Sequence, residues 1–205
     1  LLMRNPMWIV PLLLFLLTAC HTRTTMTIEK NEFGRTDDTG VDVWTLVNTR
    51  GSMVKISNYG GIVTELHIAD RNGKMDDIVL GFDTLEEYVD HNPYFGCMVG
   101  RVGNRIANAT FSLDGETYTL APNNDPHHLH GGNTGWDKVI WDAEPLETDS
   151  GPALRLSYVS PDGEEGYPGT VNTTVVYTLT HDDVLRIEMT ATTDRATPIN
   201  IVHHS

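Results

Sequence analysis

Apolar and polar residues alternate along most of the chain with a period of two. Leu154, Leu156 and Tyr158 are separated by polar residues, and the same alternation continues through residues 175–179 and 185–189. A period of two places the apolar side chains on one face of a strand, as in antiparallel sheets with one buried face. The pattern therefore predicts an all-β fold, either a sandwich or a barrel.

Turn signals separate these strands, and one segment has the pattern of a helix. Asp114-Gly115 lies between two strand-like segments and predicts a short hairpin, and Asn72-Gly73 predicts a second turn. Residues 83–91 are predicted to form a helix in which Asp83 is the N-cap and Glu86 completes a capping box.

Residues 1–19 have the layout of a secretory signal peptide. A positive start at Arg4 precedes an apolar run, residues 7–17, that is too short to span a bilayer comfortably. The sequence Leu-Thr-Ala-Cys at 17–20 resembles the lipobox of bacterial lipoproteins, which implies cleavage before Cys20 and lipidation of its sulfur. The alternative is an ordinary signal peptide followed by a chance cysteine.

These features divide the chain into three predicted regions. Residues 1–19 form a lipoprotein signal peptide, residues 20–27 form the lipidated cysteine and a polar tether, and residues 28–205 form a β domain. The lipid on Cys20 is expected to hold the protein on the bacterial cell envelope, facing the periplasm or on the outer membrane.

Charge and cysteine content narrow the range of partners. The formal net charge of −14 argues against a nucleic-acid partner, which requires a basic face, and is compatible with a neutral sugar substrate. Cys97 is the only cysteine besides Cys20 and lies among apolar residues, so we predict a small buried hydrophobe. A nucleophilic role is disfavoured because no base lies near it in the sequence.

Three of the nine histidines stand directly before two glycines, at positions 127, 128 and 130. A metal site is disfavoured because neighbouring strand residues point to opposite faces and Asp125 is the only other ligand type nearby, so no metal is predicted. His127 and His128 are predicted to lie in a solvated loop. His130 suits a binding pocket, because glycines after it let the backbone approach a ligand closely.

From about Gly34 onward the sequence resembles the aldose 1-epimerases, or galactose mutarotases. Five segments carry the resemblance in the order in which the family has them. They are ISNYGGIVTELHIADRNGKMDDIVLGFDTLEEYV, FGCMVGRVGNRIANATFSLDGETYTL, HLHGGNTGWDKVIW, SPDGEEGYPG and TPINIVHHS. The resemblance implies an antiparallel β-sandwich of the galactose mutarotase-like type. It also implies an isomerase, needing no cofactor, that interconverts the α and β anomers of aldohexoses such as glucose and galactose.

The resemblance also assigns roles to individual residues. Asn104 and Arg105 match a pair that hydrogen-bonds sugar hydroxyls, and His130 matches a substrate-binding histidine with a possible acid/base role. His204 matches the catalytic proton donor, and Ser205 follows it in the substrate-binding segment. Two further residues are expected outside the chemistry: Arg101, and His203, which is scaffold where the family commonly has asparagine.

Anomer exchange requires a proton to leave the C1 hydroxyl and another to reach the ring oxygen, and an imidazole is suited to the second step. The resemblance places the base, a glutamate, and a sugar-binding aspartate beyond the segment that this chain matches. We therefore expect the sandwich to be incomplete at its C-terminus and the 205-residue chain to be inactive alone. Glu164 and Glu165 are the first alternatives for a base within it.

Three other functions remain open from the sequence. A non-catalytic carbohydrate-binding surface lipoprotein could use Arg105 together with Trp136 or Tyr167. A surface lipoprotein anchored by Cys20 could also have an interaction role only. A sugar-phosphate epimerase is a further option, although no basic cluster near Arg105 favours it. The sequence leaves the oligomeric state open.

Overall fold

The computed structural model describes residues 25–91 and 93–205 of the chain. The predicted signal peptide and Cys20 lie outside the described residues. The part of the chain that the structure describes contains no helix with the length and apolar character needed to cross a bilayer.

Two antiparallel sheets account for most of the strands. The first has five strands paired in chain order, β1-β2-β3-β4-β5, and the second has four strands in the order β11-β12-β13-β14. The strands of the first sheet are β1 Thr27–Thr36, β2 Thr39–Val47, β3 Met53–Ser57, β4 Val63–Ala69 and β5 Met75–Asp77. Those of the second are β11 Asp142–Thr148, β12 Gly151–Ser160, β13 Val171–Leu179 and β14 Leu185–Thr193.

The two sheets pack face to face around one large apolar core. Trp44, Leu46 and Ile56 of the first sheet belong to the same buried cluster as Leu154 and Tyr177 of the second. Each large apolar side chain buried in this way stabilises the fold by about 1.5–3 kcal/mol. The predicted all-β antiparallel sandwich is confirmed.

Three further sheets consist of two short antiparallel strands each. They are β6 Met98–Val99 with β15 Val202–His203, β7 Arg105–Ile106 with β10 His128–Leu129, and β8 Thr110–Leu113 with β9 Glu116–Thr119. The predicted hairpin at Asp114-Gly115 connects β8 to β9 and has positive φ at both residues, 53° and 83°. The predicted turn at Asn72-Gly73 connects β4 to β5.

The helix α1, Leu85–His91, begins one residue later than its predicted capping box requires. Thr84 is the cap: its hydroxyl accepts the N–H of Glu87 at 3.4 Å, and the Glu87 carboxylate accepts the N–H of Thr84 at 3.3 Å. The predicted Asp83–Glu86 box is therefore wrong. The reason is packing, because this register turns Leu85 and Tyr88 inward, where they belong to a second buried apolar cluster together with Val41, Ile62 and Val99.

Candidate functional site

His204 is positioned by the pairing of β6 with β15. The ladder continues one residue beyond the strands, since the N–H of His204 donates to the carbonyl of Cys97 at 2.9 Å and its own carbonyl accepts the N–H of Gly96 at 3.0 Å. Neighbouring strand residues face opposite sides. His203 accordingly packs against Tyr177 of the core, and the His204 ring lies on the other side.

His130 is positioned by the pairing of β7 with β10. The N–H of His130 donates to the carbonyl of Asn104 at 3.0 Å, and the N–H of Asn104 donates to Nδ1 of the His130 ring at 3.0 Å. Because Nδ1 accepts a hydrogen bond, the neutral ring carries its proton on Nε2. The positive φ of His130, 50°, turns the chain here.

Gly131 allows this turn to pack closely against Gly100, the residue after strand β6. It has a φ of 89°, and a Cβ atom there would clash with the carbonyl oxygen of Gly100. A glycine therefore fits the position for both reasons. The adjacent glycines thus fix the backbone after His130, as the sequence pattern indicated.

The two imidazoles, which we call the histidine pair, face each other. The ring centroids of His130 and His204 lie 5.2 Å apart with an interplanar angle of 88°. Both side chains are half-buried. Burial, followed by the nearby positive groups His204, Arg105 and Lys138, lowers the pKa of His130, which favours its neutral form.

Arg105 and Asn104 lie at the exposed rim of the histidine pair. The Arg105 Nε donates to the Asn124 side chain at 2.9 Å, and Nη1 donates to the Asn104 side-chain oxygen at 3.3 Å. Among the described residues Nη2 makes no hydrogen bond, so part of the guanidinium fork is free for a ligand. Ser205, exposed, follows His204 in the sequence.

The prediction of a solvated loop is wrong for His128. Its side chain is fully buried, Nδ1 lies 2.8 Å from the carbonyl of Ala121, and the Tyr167 hydroxyl lies 2.8 Å from Nε2. These partners make burial of a neutral imidazole favourable. His127 is half-buried, and its Nδ1 accepts the N–H of Asn108 at 3.1 Å. Neither ring joins the histidine pair.

Cys97 and Arg101 are both buried and both structural. The prediction of a buried Cys97 is confirmed, and burial raises the pKa of its thiol well above the usual range, so the thiolate is disfavoured. The Arg101 guanidinium donates to the hydroxyl of Ser160 at 2.8 Å and to the carbonyls of Pro161 at 2.8 Å and Pro168 at 2.9 Å. Its donors are therefore used within the fold.

Glu164 and Glu165, the alternative bases, are held by local hydrogen bonds. Glu165 accepts the N–H groups of Asn133 and Thr134 at 3.0 and 2.8 Å, which closes the loop after the glycines. Glu164 accepts hydrogen bonds from Tyr158, Ser160 and Trp136. These bonds favour a structural role for both carboxylates.

Three residues near the histidine pair were not predicted as site residues. Tyr94 contacts both rings, and Lys138 lies over the Tyr94 ring with Nζ 5.5 Å from its centroid. Asp137, buried, holds the Lys138 ammonium at 2.6 Å. The Gly-Trp-Asp-Lys segment that carries part of the family resemblance was the signal that could have drawn attention to Asp137 and Lys138.

The described residues provide no cluster of metal ligands, and the two candidate stacking aromatics are buried. The structure of residues 25–91 and 93–205 contains no group of three or more histidine, cysteine or acidic side chains placed to hold a metal ion. Trp136 and Tyr167, the aromatics that a carbohydrate-binding module would expose, are each only 1% exposed. They belong to the core and cannot stack on a sugar.

The burial of His203 predicts a pH-dependent stability. Burial and the neighbouring His204 lower the pKa of His203 to about 4, against about 6.5 in an unfolded chain. Between these values the unfolded state binds more protons, so stability is full above pH 6.5 and is lost as the pH falls. We expect this residue to remove about 2 kcal/mol of unfolding free energy between pH 7 and pH 5.

Urea unfolding at the two pH values measures this loss, and His203→Asn should reduce it because asparagine does not titrate. The lowered pKa of His128 acts in the same direction and stays present in the variant. Equal losses in the variant and the parent chain would show that His203 is not the titrating group.

Comparison with known proteins identifies one family that this chain resembles. A family model described as aldose 1-epimerase matches residues 42–205. Galactose mutarotase of Bos taurus is 47% identical over 152 residues, which cover 74% of this chain and 43% of that protein. Aldose 1-epimerase of Escherichia coli K12 is 34% identical over 160 residues, 78% of this chain and 45% of that protein.

Comparison with solved structures gives a relative of the same kind. The crystal structure of galactose 1-epimerase from Lactobacillus acidophilus superposes with a TM-score of 0.79 at 27% identity, covering 88% of this chain and 52% of that one. The chain is thus a β-sandwich of the galactose mutarotase-like type. It belongs to the aldose 1-epimerase family. The chain spans about half the length of the curated relatives it matches.

Proposed function

We propose that the protein is an aldose 1-epimerase, an isomerase that exchanges the α and β anomers of an aldohexose. The observation that carries the proposal is the histidine pair, two half-buried imidazoles 5.2 Å apart with Asn104 and Arg105 at their rim. This arrangement provides one proton-transfer group, one neutral hydrogen-bonding ring and a fork of donors for sugar hydroxyls.

Each residue has a separate role in this proposal. His204 donates a proton to the ring oxygen as the bond between that oxygen and C1 breaks, while a base removes the C1 hydroxyl proton. The open-chain aldehyde then rotates about the C1–C2 bond and closes on its other face. The hydroxyl that was the ring oxygen attacks C1 and returns its proton to His204, while the base returns its proton to the former carbonyl oxygen. His130, kept neutral by burial, offers Nε2–H to the sugar.

Arg105 and Asn104 hold the sugar hydroxyls during this exchange. A guanidinium presents several N–H donors in a fixed plane, which suits two neighbouring hydroxyl oxygens. Asn104 and His130 are joined to each other by two hydrogen bonds of 3.0 Å, which fix the position of one sugar-binding residue relative to the other.

The base is assigned outside the described residues. Within residues 25–91 and 93–205 no carboxylate hydrogen-bonds to either ring of the histidine pair. We place the base in the part of the family sequence that this chain does not match, as the resemblance implies. The names of the bovine and Lactobacillus relatives mention galactose, which makes galactose the first sugar to test.

Polarimetry tests the proposal directly. The product of the whole gene, assayed with freshly dissolved α-D-galactose and α-D-glucose, should accelerate the approach to anomeric equilibrium, and the 205-residue chain is assayed beside it. Equilibration at the buffer rate with every aldohexose, combined with measurable sugar binding, would instead favour a non-catalytic carbohydrate-binding protein.

Removal of the Arg105 guanidinium should weaken sugar binding. We expect Arg105→Ala to raise KM for the aldohexose about tenfold, the loss of about 1.4 kcal/mol of hydrogen bonding, with a smaller effect on kcat. Arg155→Ala is the matched control, since Arg155 is also an exposed arginine paired with an acceptor, Glu144. An unchanged KM in Arg105→Ala would remove Arg105 from the site.

We further propose that Cys20 carries a lipid that anchors the mature protein to a bacterial membrane. The support is the lipobox-like sequence alone, because this region lies outside the described residues. Cys20→Ser should block processing or release the protein from the membrane fraction. Unchanged processing and fractionation of that variant would contradict the anchor.

A further inference from the structure

Tyr94 fills the space beside both members of the histidine pair. Its ring centroid lies 4.6 Å from that of His130 and 5.7 Å from that of His204. Its backbone has a φ of 72°, a conformation that bulky residues rarely adopt. Surrounding contacts must therefore hold the ring in place.

Lys138 supplies one of these contacts. Its ammonium lies 5.5 Å from the centroid of the Tyr94 ring, within the range of a cation–π interaction. The side chain is 40% exposed, so an unpaired ammonium at this position would be free to swing into solvent. A partner is therefore needed to hold the ammonium over the Tyr94 ring.

Asp137 fixes it. The carboxylate is 6% exposed, and Oδ2 accepts the Lys138 ammonium at 2.6 Å, while Oδ1 has no hydrogen-bond partner among the described residues. Burial raises the pKa of Asp137, which shows how unfavourable the charged form is in this environment. The Lys138 ammonium is the group that compensates this buried carboxylate through Oδ2.

We propose that Lys138 is a positioning residue of this site, held by Asp137 over the Tyr94 ring so that it fixes that ring against the histidine pair and keeps a positive charge beside it. The inference rests on the proposed function for its catalytic meaning. The contacts themselves do not depend on the reaction: Lys138 contacts the Tyr94 ring, and the Tyr94 ring contacts His130.

The charge has a direct effect on His130. Burial is the main reason why the pKa of His130 is lowered, and a fixed cation nearby adds to the effect because it opposes protonation of the imidazole. The neutral ring keeps Nδ1 as the acceptor for Asn104. Three groups act on His130 in the same direction: His204, Arg105 and Lys138. Of these, Lys138 is the one whose side-chain charge is held by a buried carboxylate, that of Asp137.

Titration of His130 by NMR tests the inference without any assay of activity. Lys138→Met keeps the length of the apolar stem and removes the charge, and we expect it to raise the measured pKa of His130 by about half a pH unit. Lys138→Arg should restore the parent value. Lys55→Met is the matched control, because Lys55 is a similarly exposed lysine in an ion pair with Glu65 at 2.7 Å, and it should leave His130 unchanged.

Polarimetry of the same variants adds the catalytic readout. Lys138→Met is expected to lower kcat at pH 7 several-fold, to leave KM nearly unchanged and to move the pH profile upward. Inactivity of the product of the whole gene would refute the proposed function, and the NMR titration would still decide the role of Lys138. A folded Lys138→Met variant whose His130 titrates like the parent overturns the inference. If that variant does not fold, Lys138→Gln replaces it under the same criterion.

Discussion

Replacement of His204 by asparagine is expected to lower kcat by ~10²–10⁴-fold, with little change in KM. His204 is assigned as the group that protonates the ring oxygen, and asparagine cannot supply that proton. The substitution is small, and the backbone hydrogen bonds that hold His204 to Gly96 and Cys97 do not involve its ring. Polarimetry at saturating sugar separates this loss from a loss of binding.

The neighbouring histidine provides the control. His203→Asn changes the same residue type one position earlier, on the face of the strand that packs against Tyr177. We expect its kcat to stay close to that of the parent protein at pH 7. A larger loss in His203→Asn than in His204→Asn would show that the proton donor has been assigned to the wrong ring.

Removal of the Arg101 guanidinium is expected to produce the largest loss of stability. Arg101 is 1% exposed, and Arg101→Leu would leave the buried carbonyls of Ser160 and Pro168 without these donors. Each unsatisfied acceptor costs about 1–3 kcal/mol. The variant should therefore lose at least about 2 kcal/mol of unfolding free energy, which denaturant titration measures.

Arg105→Leu is the matched control for this prediction. Arg105 lies four positions along the chain and is exposed, and its hydrogen-bond partners among the described residues are the side chains of Asn104 and Asn124. We expect its unfolding free energy to change by less than about 0.5 kcal/mol. Similar stabilities for the two variants would contradict the assignment of Arg101 to the core and Arg105 to the site.

The sheets could be predicted from the sequence because their signal is local. Period-two alternation through Leu154, Leu156 and Tyr177 reports which face each strand buries, and the structure places these side chains between the sheets. The hairpin at Asp114-Gly115 is equally local, since it depends on the two residues that take positive φ. The helix was predicted, but its cap was placed one residue early because packing of Leu85 decides the register.

The site could be predicted only in part, because its contacts join distant segments. The resemblance identified His130, His204, Asn104 and Arg105, and the structure brings both histidines together. His128 was misassigned because its partners, Ala121 and Tyr167, are not visible from the adjacent polar residues. Tyr94 and Lys138 were missed for the same reason, since their contact is formed only by the tertiary fold.

The pairing of β6 with β15 has a consequence for folding. These two-residue strands come from distant parts of the chain, so His204 reaches His130 only after the intervening segment has closed into a loop. Closing a long loop costs conformational entropy before the contact that it permits can form. During synthesis the ribosome must release nearly all of the described chain before the two imidazoles can meet, so partly synthesised chains lack the histidine pair.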